Sequence, residues 1–370
     1  MHPVRVALTV EQCWQPVPGG SGSYVVELSR ALAAVPQAEV VGLAARHRAG
    51  PPADVTPTGP VRFAALPRQA LYESWNRLRL PRAESVTGDV DVVHATTWAV
   101  PGSRAPLVVT VHDLAFLREP DHFTARGNAF FRRALRVVED EAVRVVVPSA
   151  ATRDDCVAHG IEAERVRVVP HGVHADPGAA QRVDRWRRHH GVRRPYLLWC
   201  GTLEPRKNVA RLVRAYAQAC ASDGLDHDLV LVGPAGWGDG ASQVREALRG
   251  LPADSVHMLG RLGSADLQAA YAGASAFVFP SLWEGFGLPV LEAMAHGVPV
   301  VTSKGTSMAE LVGQDGVLVD PTDVEELASG LVHAVGSDAG PRLRAASERY
   351  TWSASAQGHL EVYREALGTS

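Results

Sequence analysis

The stretch FVFPSLWEGFGLPVLEAMAHGVPVV, residues 277 to 301, reads as strand, loop, helix and strand. "AFVFPS" (276–281) is a continuous apolar run that stops at a proline, and "VPVVTS" (298–303) is a second one. Runs that do not alternate suit parallel strands covered on both faces. Pro289 fits the first turn of the helix between them, where a missing N–H costs nothing. Two strands joined by a helix are the repeating unit of a parallel α/β sheet. Glu284 then stands at the tip of the loop beyond the first strand, and Glu292 lies about one turn into the helix.

Outward from this unit the same alternation continues. Strands are expected at 4–10, 91–96, 107–113 and 144–149 in the first half, and at 196–202, 229–234 and 256–262 in the second. Helix-length patterns fill the gaps, such as Asn208–Cys220 and Ser264–Gly273. A chain of 370 residues exceeds one ordinary core. The expected fold is therefore two doubly wound, Rossmann-like α/β domains facing each other across a cleft. Residues 1–172 form the first and 173–352 the second, split near "VVPHGVHADPGAA" (168–180); the last helix, from Ser353 to Ala366 within 353–370, crosses back to the first domain.

Composition narrows the function. A net charge of −3 gives no argument for nucleic acid as the main partner. Cys13, Cys156, Cys200 and Cys220 show no metal or disulfide spacing, as expected in a reducing cytosol. "MHPVRVALTV" carries too short an apolar run for a signal peptide and reads as the first strand. No window reaches the length of a membrane span. Lysine occurs only at Lys207 and Lys304 in an arginine-rich chain, which singles out Lys207.

The charges in the loops constrain a ligand. Glu284 and Glu292 accept hydrogen bonds from hydroxyls, Gly285 and Gly287 allow close approach, and the helix start nearby suits an anion. In "CGTLEPRKNVARLVRAY" (200–216), Arg206 and Lys207 lie between a strand end and a helix start. Cations there oppose the helix dipole, so an anion such as a diphosphate is expected to justify them. A molecule with hydroxyls and phosphates side by side, a nucleotide sugar, fits both groups. "VPGGSGSYV" (17–25) is expected to be a flexible glycine-rich loop; it lacks the third glycine of the dinucleotide fingerprint. His112, in "VTVHDLAF", ends a strand where it can reach a substrate. Two stretches are decoys. Asp89 and Asp91 of "GDVDVV" lead into a strand rather than leaving one, which argues against a metal site. "LYESWNRLRLPR" (71–82) places Leu71, Trp75 and Leu78 on one helical face, more often a core face than a membrane-docking one.

"PGGSGSY" (18–24), "VVPHGV" (168–173), "GTLEPRKN" (201–208) and "EGFGLPVLE" (284–292), in this order along the chain, together resemble family 4 glycosyltransferases. These are retaining enzymes of the GT-B fold, and the likeness extends over nearly the whole chain. The resemblance implies that Arg206 and Lys207 bind the donor diphosphate, Glu292 holds the ribose, and Glu284 contacts the donor sugar. It also implies that the backbone at Phe286, Gly287 and Leu288 touches sugar or phosphate, that His112 sits beside the transferred sugar, and that Gly20 and Gly22 line the loop near the diphosphate. Arg261 and Leu262 would lie against the base. No metal or other cofactor is expected: two cations and a helix start can stabilise the departing diphosphate. Retention without an obvious carboxylate nucleophile favours attack from the face the diphosphate leaves. The wording of "GTLEPRKN" is similar to mannosyltransferases, which puts GDP-mannose first and UDP-sugars next. The acceptor is a hydroxyl of a saccharide, a lipid-linked molecule or a small metabolite, shaped by residues 45–85 and 117–136. The expected location is the cytoplasm, with peripheral contact at the inner membrane face an added option. A GT-B epimerase, a glycoside hydrolase and an idle sugar-nucleotide-binding subunit are the competing readings. The hydrolase has no need of Arg206, Lys207 or a two-lobed layout, and the idle subunit would have lost the cations or His112, which are present.

Overall fold

The computed structural model describes residues 2–17, 19–236, 238–252 and 254–368, with His122 described by its backbone alone. Pro18 of the glycine-rich motif, and Met1, Thr369 and Ser370 at the expected domain limits, lie outside the described residues. The chain divides into two compact units: Met1–Gly172 with Tyr350–Ser370, and Val173–Arg349.

The first unit is a seven-stranded parallel sheet built from β1 (Val4–Thr9), β2 (Ala38–Ala44), β3 (Val61–Phe63), β4 (Val92–Ala95), β5 (Leu107–Thr110), β6 (Ala142–Val147) and β7 (Val166–Val168). Its order is β3-β2-β1-β4-β5-β6-β7. The second unit is a six-stranded parallel sheet of β8 (Tyr196–Cys200), β9 (Asp228–Val232), β10 (Val256–Gly260), β11 (Ala276–Phe279), β12 (Val300–Ser303) and β13 (Val317–Val319). Its order is β10-β9-β8-β11-β12-β13. Both sheets therefore double back next to their first strand, at β1/β4 and at β8/β11. The opening stretch forms the unit foreseen: Phe277 on β11 pairs in register with Val300 on β12, across the helix Leu288–Ala295.

Every residue of β4, β5, β9, β11 and β12 is buried, because helices cover both faces. That is why these strands read as unbroken apolar runs. The edge strands β3, β7, β10 and β13 keep exposed positions. The helix Trp352–Ala366 brings Trp352, Leu360 and Tyr363 into the same core cluster as Val6, Leu8, Tyr24 and Leu28 of the first unit.

Two expectations need correction. The glycine-rich stretch is not a loop: the helix Gly19–Ala33 starts within it, so Gly20 and Gly22 lie in its opening turns. Tyr24, Val25, Leu28 and Leu32 bury one face of that helix on the sheet, and this packing outweighs the poor helix propensity of glycine. Leu78 does not share the buried face of Leu71 and Trp75; it is 67% exposed. The helix Arg68–Leu78 ends there because Arg79 takes a left-handed backbone (φ 56°). The Arg79 guanidinium donates to the carbonyls of Trp75, Val100 and Pro101, which turns the chain. Among the described residues no helix is long and apolar enough to cross a membrane.

Candidate active site

In an open α/β sheet, ligands bind beyond the carboxyl ends of the strands where the strand order reverses. In the second unit that point lies between β8 and β11, and both charged motifs follow these strands. After β8 come the short 3-10 helix Pro205–Lys207, Asn208 in a left-handed conformation (φ 59°), and the helix Val209–Ser222. After β11 comes the loop 280–287, then the helix Leu288–Ala295 with Pro289 in its first turn. Among the described residues neither helix start carries a side-chain cap.

The two loops are tied together. The Asn208 side-chain amide donates to the Pro280 carbonyl (3.1 Å), and the Leu282 N–H donates to the Arg206 carbonyl (2.9 Å). The Ser307 hydroxyl holds the carbonyls of Glu284 (2.7 Å) and Phe286 (3.1 Å). Gly287 is required at its position: its φ is 105°, and a Cβ there would lie 2.8 Å from Met308 Cγ.

On this scaffold the charges form one buried network. Lys207 Nζ donates to Glu284 Oε1 at 2.6 Å and lies 4.8 Å from the centre of the Phe279 ring. Arg206 Nη1 pairs with Glu284 Oε2 at 2.9 Å and donates to the Trp283 carbonyl at 2.6 Å. Arg206 Nη2 pairs with Glu204 Oε1 at 2.7 Å. Burial alone would raise the Glu284 carboxyl, but the Arg206 guanidinium and the Lys207 ammonium reverse this and hold it down at about 2. Glu204 is also buried; its desolvation outweighs the same cations and leaves its carboxyl raised. The anion that the cations demand is thus supplied by the protein itself.

Glu292 stands apart from this network. Its Oε2 accepts from the Tyr271 hydroxyl at 2.8 Å, with no cation bonded to it among the described residues. Desolvation by the surrounding protein pushes its carboxyl up to about 7, against a smaller opposing effect of the Tyr271 hydroxyl. Arg261 and Leu262 follow β10, the edge strand, two strands from β8.

His112, Gly20 and Gly22 belong to the first unit. Gly20 is exposed and Gly22 buried, both in the helix Gly19–Ala33. His112 follows β5, and its Nε2–H donates to the Thr96 carbonyl (3.0 Å) just beyond β4. Burial lowers its pKa, so the ring is neutral and Nδ1 holds the lone pair. The Tyr24 ring meets it edge-on at 4.9 Å. Tyr24 belongs to a buried chain of hydrogen bonds whose directions can be worked out. His359 Nδ1 must donate to the Ser355 carbonyl (2.7 Å), so the neutral ring accepts at Nε2 from the Tyr24 hydroxyl (2.8 Å). Thr110 then donates to Tyr24 (2.8 Å) and accepts from His94 Nε2–H (2.7 Å), which leaves His94 Nδ1 to accept from Tyr363 (2.8 Å). Burial keeps His94 and His359 neutral.

Sequence reasoning passed over Glu204, Tyr271, Tyr24 and Thr96. Glu204 had a signal, the alternation of charge in "LEPRKN"; the others are defined by partners distant in the chain. Among the described residues no group of three or more His, Cys, Asp or Glu side chains is arranged to hold a metal ion.

Comparison with known proteins agrees with this architecture. The family model for Glycosyltransferase Family 4 matches residues 18–177, and that for Glycosyl transferases group 1 matches residues 194–337. The chain is 29% identical to the O-antigen chain mannosyltransferase B of Escherichia coli, over 82% of each protein. It is 31% identical to a D-inositol 3-phosphate glycosyltransferase of Kribbella flavida, over 95% of this chain and 92% of that protein. The Anabaena protein HepE, solved in complex with UDP and glucose, superposes with a TM-score of 0.72 at 22% identity, covering 97% of this chain and 98% of that one. The last likeness establishes the fold, GT-B.

Proposed function

Since the chain belongs to glycosyltransferase family 4 and is a hexosyltransferase, we propose that it moves its sugar from a nucleoside-diphosphate donor to a hydroxyl, with retention of configuration and without a metal ion. The acceptor is a saccharide, a lipid-linked molecule or a small metabolite. GDP-mannose is the first donor to test, supported by the mannosyltransferase among its relatives. A UDP-sugar is the second, supported by the UDP and glucose held by a protein of the same fold.

One observation carries the reading: Arg206 and Lys207 are gathered where the second sheet reverses its order, beside two uncapped helix starts. A departing nucleoside diphosphate gains negative charge, and preorganised cations stabilise that charge without a metal. Glu292 accepts the ribose hydroxyls, and Glu284 contacts the donor sugar. The backbone at Gly285, Phe286, Gly287 and Leu288 meets sugar or phosphate, and Arg261 and Leu262 face the base. In the first unit His112 serves the transferred sugar, and Gly20 and Gly22 serve the diphosphate. No carboxylate in the network is an obvious nucleophile; in the ligand-free chain Glu284 is held by two cations and Glu204 by one. This favours attack by the acceptor from the leaving-group side, with the diphosphate taking the acceptor's proton.

The test is calorimetric titration with UDP, GDP and ADP, with and without EDTA, followed by transfer from the matching sugar donor. Selective binding that survives EDTA and weakens at least about a hundredfold in Lys207→Ala is expected, since a charged partner is lost from a buried site. Absence of binding to all three nucleotides refutes the reading, and a chemically trapped glycosyl-enzyme refutes the same-face route.

A further inference from the structure

The charges at the ends of β8 and β11 are already in balance. Two cations, Arg206 and Lys207, face two carboxylates, Glu204 and Glu284. Glu284 takes the larger share: each of its oxygens meets a different cation, at 2.9 and 2.6 Å. Arg206 Nη1 donates to the Trp283 carbonyl and lies in ion-pair contact with Glu284 Oε2. A diphosphate that uses these cations must therefore contend with an anion already in place.

We infer that Glu284 is the resident counter-ion of Arg206 and Lys207, which yields them when the nucleotide sugar binds and reclaims them to expel the spent nucleoside diphosphate. This rests on the reading that the two cations bind a diphosphate, and it gives Glu284 a role in product release beyond any contact with sugar. The exchange needs only a side-chain rotation, because Ser307 pins the backbone carbonyls of Glu284 and Phe286. It also avoids ever leaving a buried cation bare, the state that costs most when a buried pair is broken. Glu204 is the poorer candidate for the exchange: among the described residues it pairs with Arg206 alone, and its buried Oε2 has no hydrogen-bond partner among them.

The experiment titrates wild type, Glu284→Gln and Glu284→Asp with GDP, UDP and inorganic pyrophosphate, and follows thermal unfolding with and without each. Removing the competitor should tighten binding in Glu284→Gln about tenfold or more, with Glu284→Asp between it and wild type. Ligand-free Glu284→Gln should melt below wild type and recover more on ligand addition, because the ligand replaces the missing anion. Equal or weaker binding by a cooperatively folded Glu284→Gln overturns the inference. Should that variant not fold, Glu284→Asp decides: tighter binding supports the exchange, and equal or weaker binding overturns it. Wild type that binds none of the three probes refutes the diphosphate reading itself and the inference with it. Wild-type binding without any gain in the variants isolates the failure to the exchange.

Discussion

Glu292 and Glu284 come from one loop and helix yet are held in opposite states. The folded chain raises Glu292 from an ordinary 4.5 to about 7. Between these values the unfolded chain ionises while the folded one keeps its proton. The contribution to stability is thus fully present below about pH 4.5 and lost as pH rises through about 7. At 1.36 kcal/mol per unit this amounts to roughly 3 kcal/mol. Glu292→Gln should then be the more stable protein at pH 8, with the gap closing below pH 4.5, as read from urea unfolding across pH. Wild-type stability that is flat from pH 5 to 8 contradicts this. If Glu292 holds the ribose as an anion, nucleoside diphosphate binding should also weaken as pH falls below about 7. Glu284 has the reverse sign: its pKa is depressed to about 2, so its stabilisation is present above pH 4.5 and lost as the pH falls towards 2. Much of this was legible at the level of residue identity, since Arg206, Lys207 and Glu284 lie in the loops just past apolar runs that read as buried strands, and Glu292 lies one turn into the helix after Pro289. Which charge meets which was not legible. The Arg206–Glu284 and Tyr271–Glu292 contacts join distant parts of the chain, and no spacing rule announces them.

Among the elements, the central strands were readable because complete burial demands unbroken apolar runs, as in "YLLWC" and "AFVF". β2, β3 and β13 were not foreseen. β2, "AEVVGLA", mixes alanine, glycine and glutamate, which lack strand preference, while β3 and β13 span three residues each. The helix Gly19–Ala33 was misread at its start because its glycines speak for a loop, and only tertiary contacts overrule them. Its Tyr24 ties the element to the helix Trp352–Ala366 by a hydrogen bond to His359. Tyr24→Phe removes a hydroxyl that both donates and accepts in a buried chain. It should cost about 1–3 kcal/mol in chemical denaturation, as expected for stranded polar partners. A loss below about 0.5 kcal/mol would show that water or rearrangement replaces the hydroxyl. The helix Leu288–Ala295 depends similarly on Gly287. Gly287→Ala meets both an unfavourable φ and Met308, so a loss of roughly 1–3 kcal/mol is expected from thermal or urea unfolding.

At the scale of the molecule, the strand–helix alternation made two doubly wound sheets legible, because parallel strands need crossover helices and helices need a sheet face. The proposed nucleotide-binding residues Arg206, Lys207, Glu284 and Glu292 all fall within Val173–Arg349, which is continuous in sequence. Expressed alone, residues 173–349 should fold and bind a nucleoside diphosphate, measurable by calorimetry. A fragment that folds but fails to bind would show that the site needs residues from elsewhere. A chain ending at Arg349 should keep this unit intact yet lose protection against hydrogen exchange in β1 and β5, whose neighbours Leu360 and Tyr363 are gone. The discontinuity of the first unit has a further result on the ribosome. Residues 1–172 emerge first but lack the helix Trp352–Ala366 that closes over Tyr24 and Leu28. The intervening stretch of roughly 180 residues takes on the order of 10–40 s to synthesise at bacterial to eukaryotic rates. Vectorial synthesis therefore lets the second unit mature first, while the earliest-made strands wait with an open apolar face that a nascent-chain chaperone would need to shield.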